Sequence, residues 1–137
     1  KKPKVALIDS VVYNYTLGIV SASRSAFTTK KYNDISDLLS QKESIVSKDF
    51  AEWLPLFYHL KTKTQMMLLT NLANTKGYRL KQEEKEAFSR FNECKQYFRA
   101  DLPRSRASVY TFLAKYGYNN YRRYSQFKAF VKRFLKK

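Results

Sequence analysis

The last 36 residues of the chain, from Leu102 to Lys137, run LPRSRASVYTFLAKYGYNNYRRYSQFKAFVKRFLKK. Pro103 marks a break between helices, because proline lacks the backbone N–H that a continuing helix needs. Gly117 is well placed to end the next helix, and apolar side chains recur at helical spacing on both sides of it. The stretch therefore predicts a helix that stops at Gly117, a turn at residues 118–120 and a last helix over residues 121–137.

The segment before Pro103 has the most regular helical pattern in the chain. Residues 81–100 carry glutamates in the first turns and Arg99 in the last, as the helix dipole favours. One apolar stripe runs along the segment and contains Ala87, Phe88, Phe91, Cys94 and Phe98. A helix, a break, a second helix, a short turn with glycine and a third helix form the element order of a helix-turn-helix unit. We therefore expect a basic three-helix unit over residues 81–137.

The middle of the chain predicts shorter helices with clear start signals. Asn33 or Asp34 is placed to cap a short helix, and Ser47 is placed to cap another through Trp53. Pro55 is expected to interrupt or kink this second helix. The helix that resumes after this proline is expected to end near Gly77 as a left-handed cap.

The N-terminal segment Val5–Ser21 fits two kinds of secondary structure. Its apolar residues alternate with polar ones as in a strand, and a different subset of them forms a helical stripe. The chain has only three glycines and three prolines, and sheet-rich folds need many more turn residues. This scarcity favours a helix here, with a strand as the alternative.

The composition predicts an all-α or mainly α fold. Apolar residues make up 44% of the chain, which is enough for a packed core and argues against a disordered tail. We expect a compact helical bundle with the helix-turn-helix-like unit at its C-terminal end. Residues 1–4 are expected to form a basic arm, and residues 5–80 an N-terminal helical region in one compact domain with residues 81–137.

Positive charge is concentrated in the last third of the chain. The net charge is +16, and residues 81–137 hold 15 basic and 5 acidic side chains. From Leu102 onward there are ten basic residues and no acid. A surface that serves only solubility mixes both signs, so this segment predicts a polyanionic partner. Nucleic acid is the first candidate, an anionic membrane surface the second and an acidic protein the third.

The predicted last helix has two faces. Its aromatic face, with Phe127, Phe130 and Phe134, is expected to pack into the core, and its basic face is expected to contact phosphates. Polar residues in the preceding turn and the first helical turn are placed to contact base edges. The candidate nucleic-acid-binding residues are Arg104, Arg106, Lys115, Asn119, Asn120, Arg122, Arg123, Gln126, Lys128, Lys132, Arg133 and Lys136.

The sequence contains no recognisable catalytic, metal or cofactor constellation. His59 is the only histidine and Cys94 the only cysteine, so a His/Cys metal site cannot be assembled and no intrachain disulfide can form. The three glycines stand alone, without a phosphate-binding loop. We therefore expect no enzyme activity, no cofactor and no small-molecule substrate. A single cysteine suits a reducing intracellular compartment, the cytoplasm, nucleoid or nucleus.

These patterns predict a DNA-binding module that prefers duplex DNA over RNA. Binding of RNA or single strands is a second interpretation, because tyrosines such as Tyr118 and Tyr121 can stack on unpaired bases. A protein-interaction module that docks on an acidic surface of a larger complex is a third. A membrane role is not expected, because no apolar run is long enough for a span and the aromatic face is assigned to the core.

Overall fold

The structure is a computed structural model, and it describes residues 27–75, 79–98 and 104–135. Four α-helices form the described part: α1 (Thr29–Asp49), α2 (Leu54–Ala73), α3 (Lys81–Cys94) and α4 (Arg104–Phe134). Two short 3-10 turns, Ala51–Trp53 and Lys95–Tyr97, follow α1 and α3, and no strand occurs in these residue ranges. The predicted all-α class is therefore confirmed. The predictions for residues 1–4 and 5–21, and for the cap at Gly77, lie outside the described residues.

The first described helix starts earlier and runs longer than its sequence predicts. The Thr28 side chain accepts a hydrogen bond from the Lys31 amide and so caps the N-terminus of α1. Asn33 and Asp34 lie inside this helix, and Ser47 lies near its end instead of starting the next one. The predicted caps at these three positions are wrong, because Thr28 already satisfies the helix start.

Pro55 does not break a helix in the structure. It is the second residue of α2, where its missing N–H has no intrahelical acceptor to lose. The 3-10 turn Ala51–Trp53 makes the change of direction between α1 and α2 instead. As a result, α2 is continuous from Leu54 to Ala73.

The second helix is the centre of the core and packs against the other three. Leu68, Leu69 and Leu72 are completely or almost completely buried. The side chains packed around them include Tyr32 from α1, Ala87 and Phe91 from α3, and Leu113, Tyr118 and Tyr121 from α4. The Thr62 hydroxyl of α2 donates to the carbonyl of Tyr58 or Cys94, so this buried polar group is satisfied.

The third helix keeps its predicted apolar stripe from Ala87 to Cys94 but ends before Phe98 and Ala100, which the prediction placed inside it. Regular helix stops at Cys94, because Lys95–Tyr97 tightens into a 3-10 turn and Phe98 takes an extended backbone. The Phe98 ring stacks on the Tyr110 ring with centroids 4.0 Å apart. The Tyr110 hydroxyl also donates to the Lys95 carbonyl at 3.0 Å, which fixes the end of α3 against α4.

Gly117 divides the last helix into two parts. Its φ of 76° and ψ of 170° are not helical, so α4 consists of a first half, residues 104–116, and a second half, residues 118–134. The sequence predicts the break at this glycine, and the structure confirms it. The predicted turn at residues 118–120 is wrong, because these residues already belong to the second half. Whether the two halves act as a helix-turn-helix unit stays a prediction.

We predict that Gly117→Ala lowers the free energy of unfolding by about 1–3 kcal/mol, because this backbone conformation is essentially restricted to glycine. A Cβ atom would have its nearest neighbour, Phe88 Cζ, at 3.9 Å, so the cost is conformational and not steric. Urea unfolding followed by circular dichroism measures the change. The control is Gln126→Ala at an exposed site of the same helix, with an expected change within about 0.5 kcal/mol. Equal stability of the two variants would contradict the prediction.

Candidate nucleic-acid interface

The second half of α4 is anchored to the end of α2 by its first two turns. Tyr118 and Tyr121 are each 5% exposed. The Tyr121 hydroxyl shares a hydrogen bond of 3.0 Å with the Thr70 hydroxyl, and the Ser125 hydroxyl donates to Asn74 Oδ1 at 3.0 Å. These contacts orient the helix, because they join its inward side to polar groups of α2 at two successive turns.

Beyond Ser125 the aromatic side chains point away from the core. Phe127, Phe130 and Phe134 are 65%, 56% and 67% exposed. Residues on a helix are about 100° apart, so these three lie on one side, opposite Tyr121 and Ser125. The prediction that they pack into the core is wrong, because the buried tyrosines hold the other side of the helix inward. We call Phe127, Phe130 and Phe134 the outer aromatic face.

Arg122 lies at a buried ion-pair network instead of an exposed basic face. Its Nε is 3.2 Å from Glu84 Oε1, and the other carboxylate oxygen accepts a hydrogen bond of 2.7 Å from Arg79 Nε. Glu84 is only 3% exposed, and the Arg122 contact lacks the geometry of a hydrogen bond. The expected exposure of Arg122 is wrong, because a carboxylate of α3 already compensates its charge. No sequence pattern indicates that Arg122 and Glu84 form an ion pair.

Tyr118 completes the surroundings of the Glu84 carboxylate. Burial, and then the neighbouring negative charge of Glu84, raise the pKa of the Tyr118 phenol far above its ordinary value. The phenol is neutral at physiological pH with or without this shift, and its buried oxygen has no hydrogen-bond partner among the described residues. The second half of α4 thus begins with a buried tyrosine and with an arginine whose charge Glu84 compensates.

The two asparagines predicted to contact bases are exposed, but each already holds a local hydrogen bond. Arg79 Nη2 donates to Asn119 Oδ1 at 3.4 Å. Asn120 Nδ2 donates to the Tyr116 carbonyl at 2.8 Å and so supports the break at Gly117. These bonds use Asn119 Oδ1 as an acceptor and Asn120 Nδ2 as a donor, and an amide side chain has further donor and acceptor capacity, so base contact by either asparagine stays a prediction.

Lys128 and Lys132 line a groove together with aromatic rings. The groove has a volume of about 570 Å³ and lies between the end of α2, the first half of α4 and the second half of α4. Phe112 and Tyr124 form its apolar wall, and their rings stack with centroids 5.2 Å apart. Both lysines are exposed and make no ion pair or hydrogen bond with the described residues.

The other predicted contacts do not join this groove. Arg123 and Gln126 are exposed on other sides of the helix, and Lys115 lies over the Tyr116 ring at 5.3 Å from its centroid. The predicted contacts that lie outside the described side chains are Arg104, Arg106, Arg133 and Lys136. Sequence reasoning missed Thr70 of α2 and Asn74, the residue that caps the end of α2, which hold the second half of α4 from across the groove. No sequence signal indicates them, because both pairs join residues 51 positions apart.

Cys94 and His59 are both buried, at 1% and 3% exposure. The Cys94 thiol donates to the Arg90 carbonyl at 3.0 Å, and burial raises the pKa of this thiol. It is therefore held as the neutral, poorly nucleophilic form. The His59 ring lies against the Phe98 ring, with centroids 5.7 Å apart. These surroundings give both side chains a packing role within the described structure.

Within residues 27–75, 79–98 and 104–135, no three His, Cys, Asp or Glu side chains come together to form a metal site. None of the helices described there is long and apolar enough to cross a membrane. Comparison of the chain with protein-family models, with characterised proteins and with solved structures gave no match.

We predict that Glu84→Gln lowers the free energy of unfolding by about 1–3 kcal/mol. The variant leaves two arginines without their carboxylate, and partial exposure of Arg79 and Arg122 keeps the loss below that of a fully buried pair. Urea unfolding measures the change, with Glu93→Gln as the control at an exposed site of the same helix. Two equally stable variants would show that the network does not hold α4 in place.

Proposed function

We propose that this protein binds nucleic acid through the phosphate backbone, with the second half of α4 as the contact surface. The observation that carries the proposal is the pair Lys128 and Lys132. Both ammonium groups are exposed and unpaired among the described residues, and they are one helical turn apart beside an aromatic groove. No acid occurs anywhere in residues 104–134, so no carboxylate of the same helix offsets these two charges.

The acids of the neighbouring helix are already engaged elsewhere. Of its four acids, Glu83 accepts a hydrogen bond from Thr29 and Glu84 pairs with two arginines. Glu86 accepts from Gln82 and Tyr32, and Glu93 accepts from Ser89. None of these carboxylates lines the groove: Glu83 and Glu86 contact α1, and Glu84 contacts the start of the second half of α4. The charge of the two groove lysines is therefore left for an external anion, as phosphate binding requires.

Backbone contact gives affinity that depends on salt and not on base sequence. Each neutralised phosphate releases counterions, so binding weakens as salt concentration rises. Base readout needs free donors and acceptors at the base edges. Of the predicted readers, Arg122 is paired and Asn119 and Asn120 are locally bonded, whereas Gln126 and Arg123 are exposed. The preference for duplex DNA, and base contact by the turn, stay predictions from the sequence.

We predict that removal of both groove lysines changes the salt dependence of binding. For Lys128→Ala with Lys132→Ala, the slope of log K against log salt concentration falls by about 1.8 on duplex DNA or about 1.4 on single strands. Fluorescence anisotropy of labelled oligonucleotides from 50 to 300 mM salt gives the slopes. Over this range of salt concentration, the distance over which salt screens electrostatic interactions falls from above 10 Å to below 8 Å, roughly, so a change in slope is measurable.

The matched control removes two exposed lysines of α1, Lys30 and Lys42, and so makes the same change in net charge. Its slope is expected to stay close to that of the original protein, because these lysines lie on the far helix. Equal slopes for both double variants would show that the change reflects net charge alone and not the position of the two groove lysines. The absence of salt-sensitive binding to any oligonucleotide would overturn the proposed function.

The outer aromatic face favours a second candidate function. Exposed phenylalanines in a row, with Arg123 on the same side, suit docking on an acidic protein surface that has an apolar cleft. We expect a photo-crosslinking amino acid at position 130 to capture an acidic protein in cells, identified by mass spectrometry. Phe127→Ser with Phe134→Ser should abolish that capture, and a crosslinker at position 42 is the control. Crosslinks to nucleic acid alone would contradict this candidate.

A further inference from the structure

The groove between α2 and α4 has the size and chemistry of a site for one nucleotide. Its volume of about 570 Å³ lies within the range of roughly 300–1,000 Å³ that small-molecule sites occupy. It combines an apolar aromatic wall with a few polar groups at defined places. Such a combination is typical of ligand-binding pockets, whereas contact with the phosphate backbone alone requires only a flat basic surface.

The aromatic wall presents a ring that is already fixed in place. Tyr124 stacks on Phe112 with an interplanar angle of 23°, and Phe112 in turn lies edge-on against the buried Tyr121 ring. Tyr124 is 48% exposed and lines the groove. Aromatic rings held in this way stack on bases of any sequence, because every base has a π face.

The polar groups lie around this wall. Lys128 and Lys132 are four residues apart, about 6 Å along the helix axis, on the side of the helix that lines the groove. Ser125 and Asn74 bond to each other at the same groove, and the Asn74 amide nitrogen is bonded to the Thr70 carbonyl. Two cations beside a stacking ring complement a nucleotide, which is a flat base joined to anionic phosphates.

We propose that this groove binds one unpaired nucleotide of a single-stranded stretch, with its base stacked on Tyr124 and its flanking phosphates on Lys128 and Lys132. The inference rests on the proposed nucleic-acid binding and names the substrate class for the same surface. Bases inside a duplex are stacked on their own neighbours and paired, so an aromatic wall in a groove gains contact only with a base that is out of the stack.

A fluorescent base reports stacking directly. We use single-stranded DNA and RNA oligonucleotides that carry one 2-aminopurine, together with the same sequences as duplexes. Stacking on Tyr124 is expected to quench 2-aminopurine in both single-stranded forms and to leave the duplex signal unchanged. The DNA and RNA arms show which sugar the groove prefers, because the stacking chemistry is common to both.

Variants at Tyr124 separate stacking from charge. Tyr124→Ala should weaken single-strand binding roughly 5- to 140-fold, the range expected from loss of one stacked base. Tyr124→Phe should retain both affinity and quenching, because it keeps the ring. The matched control is Phe127→Ala, which removes an exposed ring from the outer aromatic face. Circular dichroism and urea unfolding check that each variant folds, and Tyr124→Leu replaces Tyr124→Ala if the smaller residue does not.

The outcomes distinguish this inference from the proposed function. Salt-sensitive binding with equal affinity for Tyr124→Ala and Phe127→Ala, or without quenching, overturns the nucleotide site and leaves backbone binding in place. Preference for duplex over single strands also overturns it. The absence of binding to every oligonucleotide overturns both, and binding of an acidic peptide in the groove instead would assign the site to a protein partner.

Discussion

The left-handed backbone at Gly117 sets the direction in which the second half of α4 turns its side chains. A residue with positive φ and extended ψ reorients the helix that follows, and only glycine takes this conformation without strain. Tyr118 and Tyr121 consequently face the core, and the phenylalanines further along face outward. The same rotation places Lys128 and Lys132 at the groove. The part of the proposed binding surface that the second half of α4 supplies therefore depends on this one backbone position.

The buried charges at Glu84 act on this same orientation. A buried ion pair contributes little net stability, because removal of both ions from water offsets most of their attraction. It does penalise alternatives, since any rotation of the helix that moves Arg122 away leaves Glu84 with less compensation. Tyr118 and Tyr121 bury apolar surface at this contact, and the carboxylate with its two arginines favours one rotation of the helix. The ion-pair network therefore acts mainly by fixing the orientation of the second half of α4, and less by adding to its stability.

The sequence was sufficient to predict helices and insufficient to orient them. The apolar stripe of α3 and the break at Gly117 follow from local patterns, and both appear in the structure. Local patterns do not predict which side of the second half of α4 faces the core. Phe130 is more apolar than Tyr121, and yet Phe130 is exposed and Tyr121 is buried. Periodicity shows which residues share a side, whereas tertiary contacts with Thr70 and Glu84 decide which side is buried. The paired state of Arg122 has the same origin, since its partner lies 38 positions away on another helix.

The arrangement of the groove also bears on how tightly it holds a ligand. Ordering of a flexible aromatic side chain during binding costs free energy, and Tyr124 avoids much of this cost because Phe112 already stacks against it. The two lysines remain in water in the free protein, so their charges carry no desolvation cost until a phosphate replaces that water. A preformed ring provides affinity that salt does not weaken, and hydrated lysines provide affinity that it does. Binding through such a groove is therefore expected to retain a salt-independent part, which backbone contact alone does not supply.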